Sequence, residues 1–239
     1  MSRTVFITGG SRGIGAECVR LFSNNGYKVA FTYRSSEASA IKLSNECGAL
    51  AIRADISSSK EIAEAIGSAT EELGRIDVLI NNAGISESCL FTDITDAMWD
   101  KMIGVNLSGA FYASRTVLPQ MISRKNGVIL NVSSMWGEVG ASCEVHYSVA
   151  KAGLIGMTKA LAKEVGPSGI RVNCVSPGVI DTEMNSHLTD EDKAVLIDET
   201  PLERIGTASD IAQALLYLAS EHASFITGQV LSVNGGIII

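Results

Sequence analysis

The chain has 239 residues, of which 46% are hydrophobic and 19% charged, and its formal net charge at pH 7 is −7. These values are typical of one globular domain with a large core, and the acidic balance argues against a broad basic face for nucleic acid or an anionic membrane. No apolar run approaches the ~20 residues that span a bilayer, and no apolar signal sequence is evident at the start. The five cysteines are scattered without CxxC pairs, so we expect reduced thiols, no metal site and a cytoplasmic protein.

The first part of the chain alternates short apolar runs with helical patterns. We expect strands at residues 4–8, 28–33, 49–53 and 77–80, and helices after Gly15 and at about 36–46 and 59–73. Strands that alternate with helices predict an α/β fold with a parallel, doubly wound sheet and helices on both faces. The ligand site of such a sheet lies beyond the carboxyl ends of its strands.

The second part continues the same alternation. It predicts helices at about 96–124, 147–165 and 210–219 and strands at 127–132, 171–175 and 229–233. Asn106 is a mediocre helix former in the middle of the first of these helices, which predicts a kink or a polar contact there. The polar segment 183–200 is predicted to be a lid over the substrate, and residues 1–239 are expected to form one dinucleotide-binding and catalytic domain.

A glycine-rich turn follows the first strand. Gly9, Gly13 and Gly15 have the spacing GxxxGxG and precede a helical pattern. Bare backbone lets a phosphate approach the unpaired N–H groups and the dipole at the helix N-terminus, so the turn predicts a nucleotide site. By itself the pattern also fits an ordinary strand-to-helix turn.

The residue after the second strand indicates which nucleotide is bound. A site specific for NAD would place an acid there for the ribose 2′-hydroxyl, whereas this chain has Tyr33 and Arg34. A guanidinium suits a 2′-phosphate, and Arg12 in the glycine turn could add a second charge. NADP(H) is therefore the expected cofactor, and a solvated loop cation is the alternative for Arg34.

Two further polar segments should lie at the same edge of the sheet. Asp55 follows the third strand and could accept a hydrogen bond from the adenine amino group, or simply cap a helix. The Asn-Asn-Ala-Gly run at residues 81–84 follows the fourth strand. It could let backbone lie against the cofactor, or could be a tight turn.

Tyr147 and Lys151 are four residues apart, a spacing that places two side chains on one helix face. At an effective dielectric of about 20, an ammonium roughly 4 Å from a phenolate is worth about 4 kcal/mol. Even half of this would lower the tyrosine pKa by one to two units and make Tyr147 a general acid near neutrality. The bare spacing is common, so a surface Tyr–Lys pair is the alternative.

Taken together, these positions resemble the short-chain dehydrogenase/reductase family over the full chain length. The matching residues are Thr8, Gly9, Gly13, Gly15, Asp55, Asn81, Asn82, Ala83, Gly84, Asn106, Ser134, Tyr147, Lys151, Pro177, Gly178 and Thr182. The resemblance implies a Rossmann-type sheet of about seven parallel strands, a nicotinamide cofactor and a homotetramer.

The resemblance also implies four catalytic residues. Ser134 would polarise the substrate oxygen and Tyr147 would donate the proton, while Lys151 would bind the nicotinamide ribose and lower the pKa of Tyr147. Asn106 would anchor a water that links Lys151 to solvent. The cofactor contacts implied are Gly9, Ser11, Arg12, Gly13, Ile14, Gly15, Arg34, Asp55, Ile56, Asn82, Ala83, Gly84, Tyr147, Lys151, Pro177, Gly178, Val179 and Thr182.

The sequence at residues 147–154 and 226–229 is similar to that of 3-oxoacyl-[acyl-carrier-protein] reductases. This implies NADPH-dependent reduction of a ketone to a secondary alcohol on a protein-tethered arm. Arg124 and Lys125 would supply basic charge near the mouth for an acidic carrier protein. The position before Gly169 is often basic in that group, and here it is Ser168.

A local similarity gives an alternative substrate. Residues 136–145 resemble reductases of a 5-aminopentanone group on a lysine of elongation factor P. Glu144, or else Glu138, would then pair with the substrate amine, and Trp136 would form a pocket wall or fill core. Cys143 and His146 lack metal-ligand spacing and are read as lining or packing residues.

Two other functions stay open. One is reduction of a free small ketone or sugar. The other is a non-catalytic, NADP-binding interaction protein on the same fold, although relatives of that kind usually lack a catalytic position and none is missing here.

Overall fold

The centre of the protein is a seven-stranded parallel sheet, seen in a computed structural model that describes residues 2–186 and 188–239. The strand order is β3-β2-β1-β4-β5-β6-β9, which confirms the doubly wound sheet that the alternation predicts. The strands are β1 (Thr4–Ile7), β2 (Lys28–Tyr33), β3 (Leu50–Arg53), β4 (Val78–Asn81), β5 (Gly127–Val132), β6 (Ile170–Pro177) and β9 (Val230–Val233), and a separate short pair is formed by β7 (Ile180–Asp181) and β8 (Gly206–Thr207).

Helices cover both faces of this sheet. The helices are α1 (Gly13–Asn24), α2 (Glu37–Cys47), α3 (Ser59–Leu73), α4 (Asp96–Ile103), α5 (Gly109–Arg124), α6 (Trp136–Val139), α7 (Val145–Val165), α8 (Asp190–Asp198) and α9 (Ala208–Ala219). A π-helical turn at Gly104–Ser108 joins α4 to α5. In the part of the chain that the structure describes, no helix is both long and apolar enough to cross a membrane.

The two faces of the sheet have separate cores because successive strand side chains point in opposite directions. On β1, Val5 and Ile7 pack with buried residues of α1, α2 and α9. Phe6, between them in sequence, packs with buried residues of α3, α5 and α7. Strands that are buried on both faces consist of continuous apolar residues, and such runs are easily recognised in the sequence.

A buried polar network joins the central strands to the helices. The Asn81 amide donates to Asn131 Oδ1 at 2.8 Å and to Ser114 Oγ at 3.1 Å. The Asn131 amide in turn donates to Thr158 Oγ1 at 2.8 Å. These bonds tie β4 and β5 to α5 and α7, the helix that carries Tyr147 and Lys151.

The segment 183–200 contains more regular structure than its polarity suggests. A 3₁₀ turn at Glu183–Asn185 is followed by the exposed helix α8, which begins with a capping box between Thr189 and Asp192. Residue 187, which belongs to the predicted lid, lies outside the described residues. The strand pair β7–β8 flanks this segment on both sides in sequence.

Candidate active site

The glycine turn and the Asn-Asn-Ala-Gly run lie against each other at the carboxyl edge of the sheet. The Thr8 hydroxyl accepts from the backbone N–H groups of Asn82 and Ala83 at 3.0 and 3.1 Å. The Asn82 amide donates to the carbonyl oxygens of Thr8 and Gly9, both at 3.0 Å. Side-chain bonds therefore hold the two loops as one unit.

Close approach explains why two of the loop positions are glycine. Gly9 has φ +68°, and a Cβ there would lie 2.8 Å from Ala83 Cα. A Cβ on Gly15 would overlap the carbonyl oxygen of Gly9. The resulting surface is bare backbone at the start of α1, a cradle that fits the phosphates of a dinucleotide.

Arg34 and Asp55 form an ion pair, with 3.3 Å between Nε and Oδ2. Asp55 also accepts from the backbone N–H and the hydroxyl of Ser57, at 2.9 and 2.6 Å. Burial raises the pKa of Asp55, but the bonds from Ser57 and the charge of Arg34 outweigh it and lower the pKa. The alternative that Asp55 caps the next helix is wrong, since Ser58 is the N-cap of α3.

Ser134, Tyr147 and Lys151 come together as predicted. Ser134 follows β5, and its hydroxyl lies near enough to Tyr147 to lower the pKa of that phenol. Lys151 Nζ lies 5.6 Å from the centre of the Tyr147 ring and donates to the Val132 carbonyl oxygen at 3.0 Å. Tyr147 and Lys151 are only 7% and 4% exposed, so the alternative of a solvated surface pair is wrong.

The pKa of Tyr147 differs from the prediction. Burial raises it to about 12, the bond from Ser134 partly offsets this, and the charge of Glu144 raises it further. The expected lowering by Lys151 is not found. Its ammonium instead donates to the Val132 carbonyl. Burial also lowers the pKa of Lys151 from 10.5 to about 8, so the ammonium form still predominates at pH 7.

Asn106 lies in the π-helical turn, and of the predicted kink or polar contact the structure shows the polar contact. Its Oδ1 accepts from Ile85 N–H at 3.1 Å, and its amide donates to the carbonyls of Ile85 at 3.0 Å and Met102 at 3.1 Å. A Cβ on Gly84 would lie 2.7 Å from Asn106 Oδ1 and 3.3 Å from Lys151 Nζ. Asn106 therefore holds the loop that borders Lys151.

The two candidate glutamates contact different parts of the protein. Glu144 Oε2 accepts from the Ser86 hydroxyl at 3.2 Å, and its charge reaches Tyr147. Glu138 instead accepts from the Ser232 hydroxyl on β9, at 3.0 Å. Trp136 is half-buried at the start of α6, so it does not simply fill core.

The segment after β6 completes the edge of the site. Gly178 N–H donates to the Val233 carbonyl at 3.1 Å, and a Cβ on Gly178 would lie 2.8 Å from Asn234 Cα. The Thr182 methyl group would lie 3.5 Å from a Cβ placed on Gly13. The segment thus runs from the sheet to the glycine turn.

Arg124 and Lys125 are not near the mouth, contrary to the prediction. They end α5 and precede β5, so they lie at the amino edge of the sheet, opposite the site. Arg124 Nη2 donates to the Ile76 carbonyl at 2.7 Å and lies 3.9 Å from Asp77 Oδ1. Residues that directly precede a strand of a parallel sheet lie at its amino edge, so the order of α5 and β5 already argues against the predicted position of this basic pair.

Three features of the site have no signal in the sequence. Ser86 reaches Glu144 across the loop. Cys89 N–H donates to the Cys143 carbonyl at 2.7 Å. His146 is fully buried beside Tyr147, and both of its ring nitrogens lack a hydrogen-bond partner among the residues that the structure describes. All three depend on contacts between distant segments.

The parallel sheet, the glycine cradle at its switch point and the buried Ser134, Tyr147 and Lys151 define a nicotinamide-dependent oxidoreductase acting on CH–OH or C=O groups. A family model described as enoyl-(acyl carrier protein) reductase matches residues 9–238. The chain belongs to the short-chain dehydrogenase/reductase family.

Curated relatives cover almost the whole chain. The 3-oxoacyl-[acyl-carrier-protein] reductase FabG of Staphylococcus epidermidis is 38% identical over 242 aligned positions, covering 99% of each chain. The reductases of the same name from Chlamydia trachomatis serovar D and Chlamydia muridarum are 39% and 40% identical, covering 99% of this chain and 98% of theirs.

Proposed function

We propose that the protein reduces a 3-oxoacyl group, carried as a thioester on an acyl carrier protein, to the 3-hydroxyacyl product with NADPH. The observation that carries this proposal is the buried hydroxyl pair of Ser134 and Tyr147 at the carboxyl edge of the sheet, with Lys151 behind it. The chain aligns with 3-oxoacyl-[acyl-carrier-protein] reductases over nearly its whole length, which supports this substrate class.

In this mechanism the substrate carbonyl oxygen accepts hydrogen bonds from Ser134 and Tyr147. Nicotinamide, when bound, supplies the hydride. Tyr147, whose pKa of about 12 keeps it protonated at neutral pH, gives its proton to the developing alkoxide. The transfer is favourable because an alkoxide is a stronger base than a phenolate.

The proposed cofactor contacts are those of the cradle. Gly9 and Gly15 admit the pyrophosphate, the 82–84 run and the 177–179 segment with Thr182 border the nicotinamide half, and Lys151 binds the ribose. Arg34, assisted by Arg12, is proposed to bind the 2′-phosphate of NADPH. The Arg34 side chain is 63% exposed, so its guanidinium can reach a phosphate while Asp55 holds Nε.

The direct test is NADPH oxidation with acetoacetyl carrier protein by the parent and by Tyr147→Phe. Loss of one proton donor should reduce kcat by about 100-fold or more, while NADPH binding persists. Tyr217→Phe, which changes an exposed tyrosine on α9, is the matched control and should leave the rate unchanged. Retention of the parent rate in Tyr147→Phe would refute the mechanism, and preference for crotonyl carrier protein would favour enoyl reduction.

A second candidate substrate is favoured by Glu144. Its carboxylate lies close enough to raise the pKa of Tyr147, which places a negative charge beside the reacting carbonyl. A neutral oxoacyl chain cannot form an ion pair with this carboxylate, whereas a ketone with a nearby ammonium group can. The 5-aminopentanone group on a lysine of elongation factor P has this chemistry.

Glu144→Gln separates the two substrates. If the substrate is cationic, the substitution should raise KM for the aminopentanone protein by about 10-fold, while the KM for acetoacetyl carrier protein stays the same. Glu138→Gln is the matched control because Glu138 pairs with Ser232 on β9. An unchanged KM for both substrates would remove the aminopentanone candidate.

The remaining proposals concern the domain organisation of the chain, its oligomeric state and its location in the cell. Residues 1–239 are proposed to be a single domain, with α8 and its flanking segments as the substrate lid. The protein is proposed to be a cytoplasmic homotetramer. Tight NADPH binding without oxidation by any activated ketone would instead support a non-catalytic interaction protein.

A further inference from the structure

Two cysteines that play no part in the reduction lie next to each other at the substrate side of the site. Cys89 belongs to the loop that follows the 82–84 run, and Cys143 immediately precedes Glu144. The amide of Cys89 donates to the carbonyl oxygen of Cys143 at 2.7 Å. Both side chains are partly exposed and both thiols are free.

The hydrogen bond limits how far apart the two residues can be. The nitrogen lies about 1.5 Å from its Cα and the oxygen roughly 2.4 Å from its own, by standard backbone dimensions. With the 2.7 Å bond, the Cα atoms of Cys89 and Cys143 are therefore at most about 6.6 Å apart. Disulfides join Cα atoms separated by about 4.4–6.8 Å, so the separation of this pair does not exceed what a disulfide can span.

The backbone conformation of Cys143 is also unusual. Cys143 has φ +61°, a left-handed conformation that non-glycine residues seldom adopt and that clusters at functional sites. The Cys89 amide and the Ser86–Glu144 bond of 3.2 Å hold the segment in place from the same loop. The two segments are thus joined at two points within four residues of Tyr147.

We propose that Cys89 and Cys143 form a reversible disulfide when the protein is exposed to hydrogen peroxide. One thiolate attacks a peroxide oxygen and breaks the O–O bond, so that it becomes a sulfenic acid, and the departing hydroxide takes up the proton lost by that thiol to give the first water. The second thiol attacks that sulfur, forms the S–S bond and releases the second water. The two sulfurs lose two electrons and the peroxide gains them, and thiol–disulfide exchange with a dithiol reverses the change.

The bond would fix the loop that carries Ser86 to the first turn of α7. Glu144 directly follows Cys143 and its charge reaches Tyr147, so the cross-link is expected to hinder the ketone. NADPH uses the glycine cradle, which these residues do not touch. Oxidation should therefore raise KM for the ketone and leave NADPH binding unchanged.

The test is non-reducing peptide mapping of the intact protein after treatment with hydrogen peroxide. We expect a cross-linked pair of peptides containing Cys89 and Cys143, lighter by two hydrogen atoms than the reduced pair and lost on addition of dithiothreitol. It should be absent in Cys89→Ser and in Cys143→Ser. Cys47→Ser, which changes the partly exposed cysteine at the end of α2, is the matched control and should retain it.

Two results would overturn the proposal: oxidation of Cys143 to sulfinic or sulfonic acid without the cross-link, or equal cross-linking to Cys47. Mapping needs no substrate, so its outcome is independent of the proposed function. The effect on ketone entry does rest on that function, and it is tested by KM before and after peroxide. An unchanged ketone KM in fully cross-linked protein would refute the effect on entry while the site itself stands.

Discussion

At the scale of single residues, the geometry of Tyr147 and Lys151 agrees with the sequence, but their electrostatics do not. The i, i+4 spacing does bring the two side chains onto one face of α7. Burial then raises the pKa of Tyr147 and lowers that of Lys151, each toward its neutral form. At neutral pH the tyrosine is uncharged in either state, so the cost of burial falls on Lys151, whose value must lie in the reaction rather than in folding.

Lys151→Met tests that cost. Moving the lysine pKa from 10.5 to about 8 costs on the order of 3 kcal/mol below pH 8, and the lost bond to Val132 offsets about 1 kcal/mol of it. The variant should be inactive but have a free energy of unfolding about 2 kcal/mol higher at pH 7. The gain should shrink as the pH rises from 8 to 10.5, because the unfolded lysine then also loses its proton.

Thermal or urea unfolding at several pH values measures this gain. Lys163→Met, on the exposed side of the same helix, is the control and should leave stability nearly unchanged at every pH. A Lys151→Met variant less stable than the parent at pH 7 would contradict the expectation.

Arg34→Ala tests the choice of nucleotide. Loss of a charge-assisted bond to the 2′-phosphate, worth about 1.5–3 kcal/mol, should raise KM for NADPH by about 10- to 100-fold. KM for NADH should change little, since NADH has no phosphate there. Lys28→Ala, at the other end of β2, is the matched control, and equal effects on both cofactors would argue against the role of Arg34.

At the scale of elements, the site depends on how β1, the glycine turn and α1 pack against the loop after β4. Gly15→Ala would press a methyl group into the Gly9 carbonyl and toward the Asn82 amide. Because backbone must move, we expect NADPH affinity to fall by about 10-fold or more, at 1.4 kcal/mol per tenfold.

The control for Gly15→Ala is Gly67→Ala on the exposed side of α3, where an added Cβ meets nothing within 4 Å. That change should preserve NADPH affinity and stabilise the protein by about 0.5–1 kcal/mol. Quenching of intrinsic fluorescence by NADPH and thermal unfolding measure the two quantities. If Gly15→Ala binds NADPH as tightly as the parent, the cofactor site tolerates a side chain at this position and the expectation is wrong.

At the scale of the whole molecule, large apolar side chains remain exposed around the edge strand β9. Phe225 and Ile239 are essentially fully exposed, and Leu231 is 38% exposed. An apolar sheet edge is usually covered by another chain, which supports the proposed tetramer.

Phe225→Asp should weaken that assembly and lower the mass observed by analytical ultracentrifugation. Ile41→Asp, at an exposed site on α2, is the control and should leave the mass unchanged. A parent protein that sediments as a monomer at micromolar concentration would contradict the tetramer.

The sequence by itself determined the parallel sheet, its strands and the cofactor edge. Apolar runs, glycine spacing and the Tyr147–Lys151 interval are local signals, and parallel strands bring their carboxyl ends to one edge. It did not determine the Arg34–Asp55 pair, the Glu144–Ser86 bond or the Cys89–Cys143 contact. Those depend on which distant segments meet and on how much water is excluded, and burial, which reversed the expected pKa shift of Tyr147, is a property of the packed structure alone.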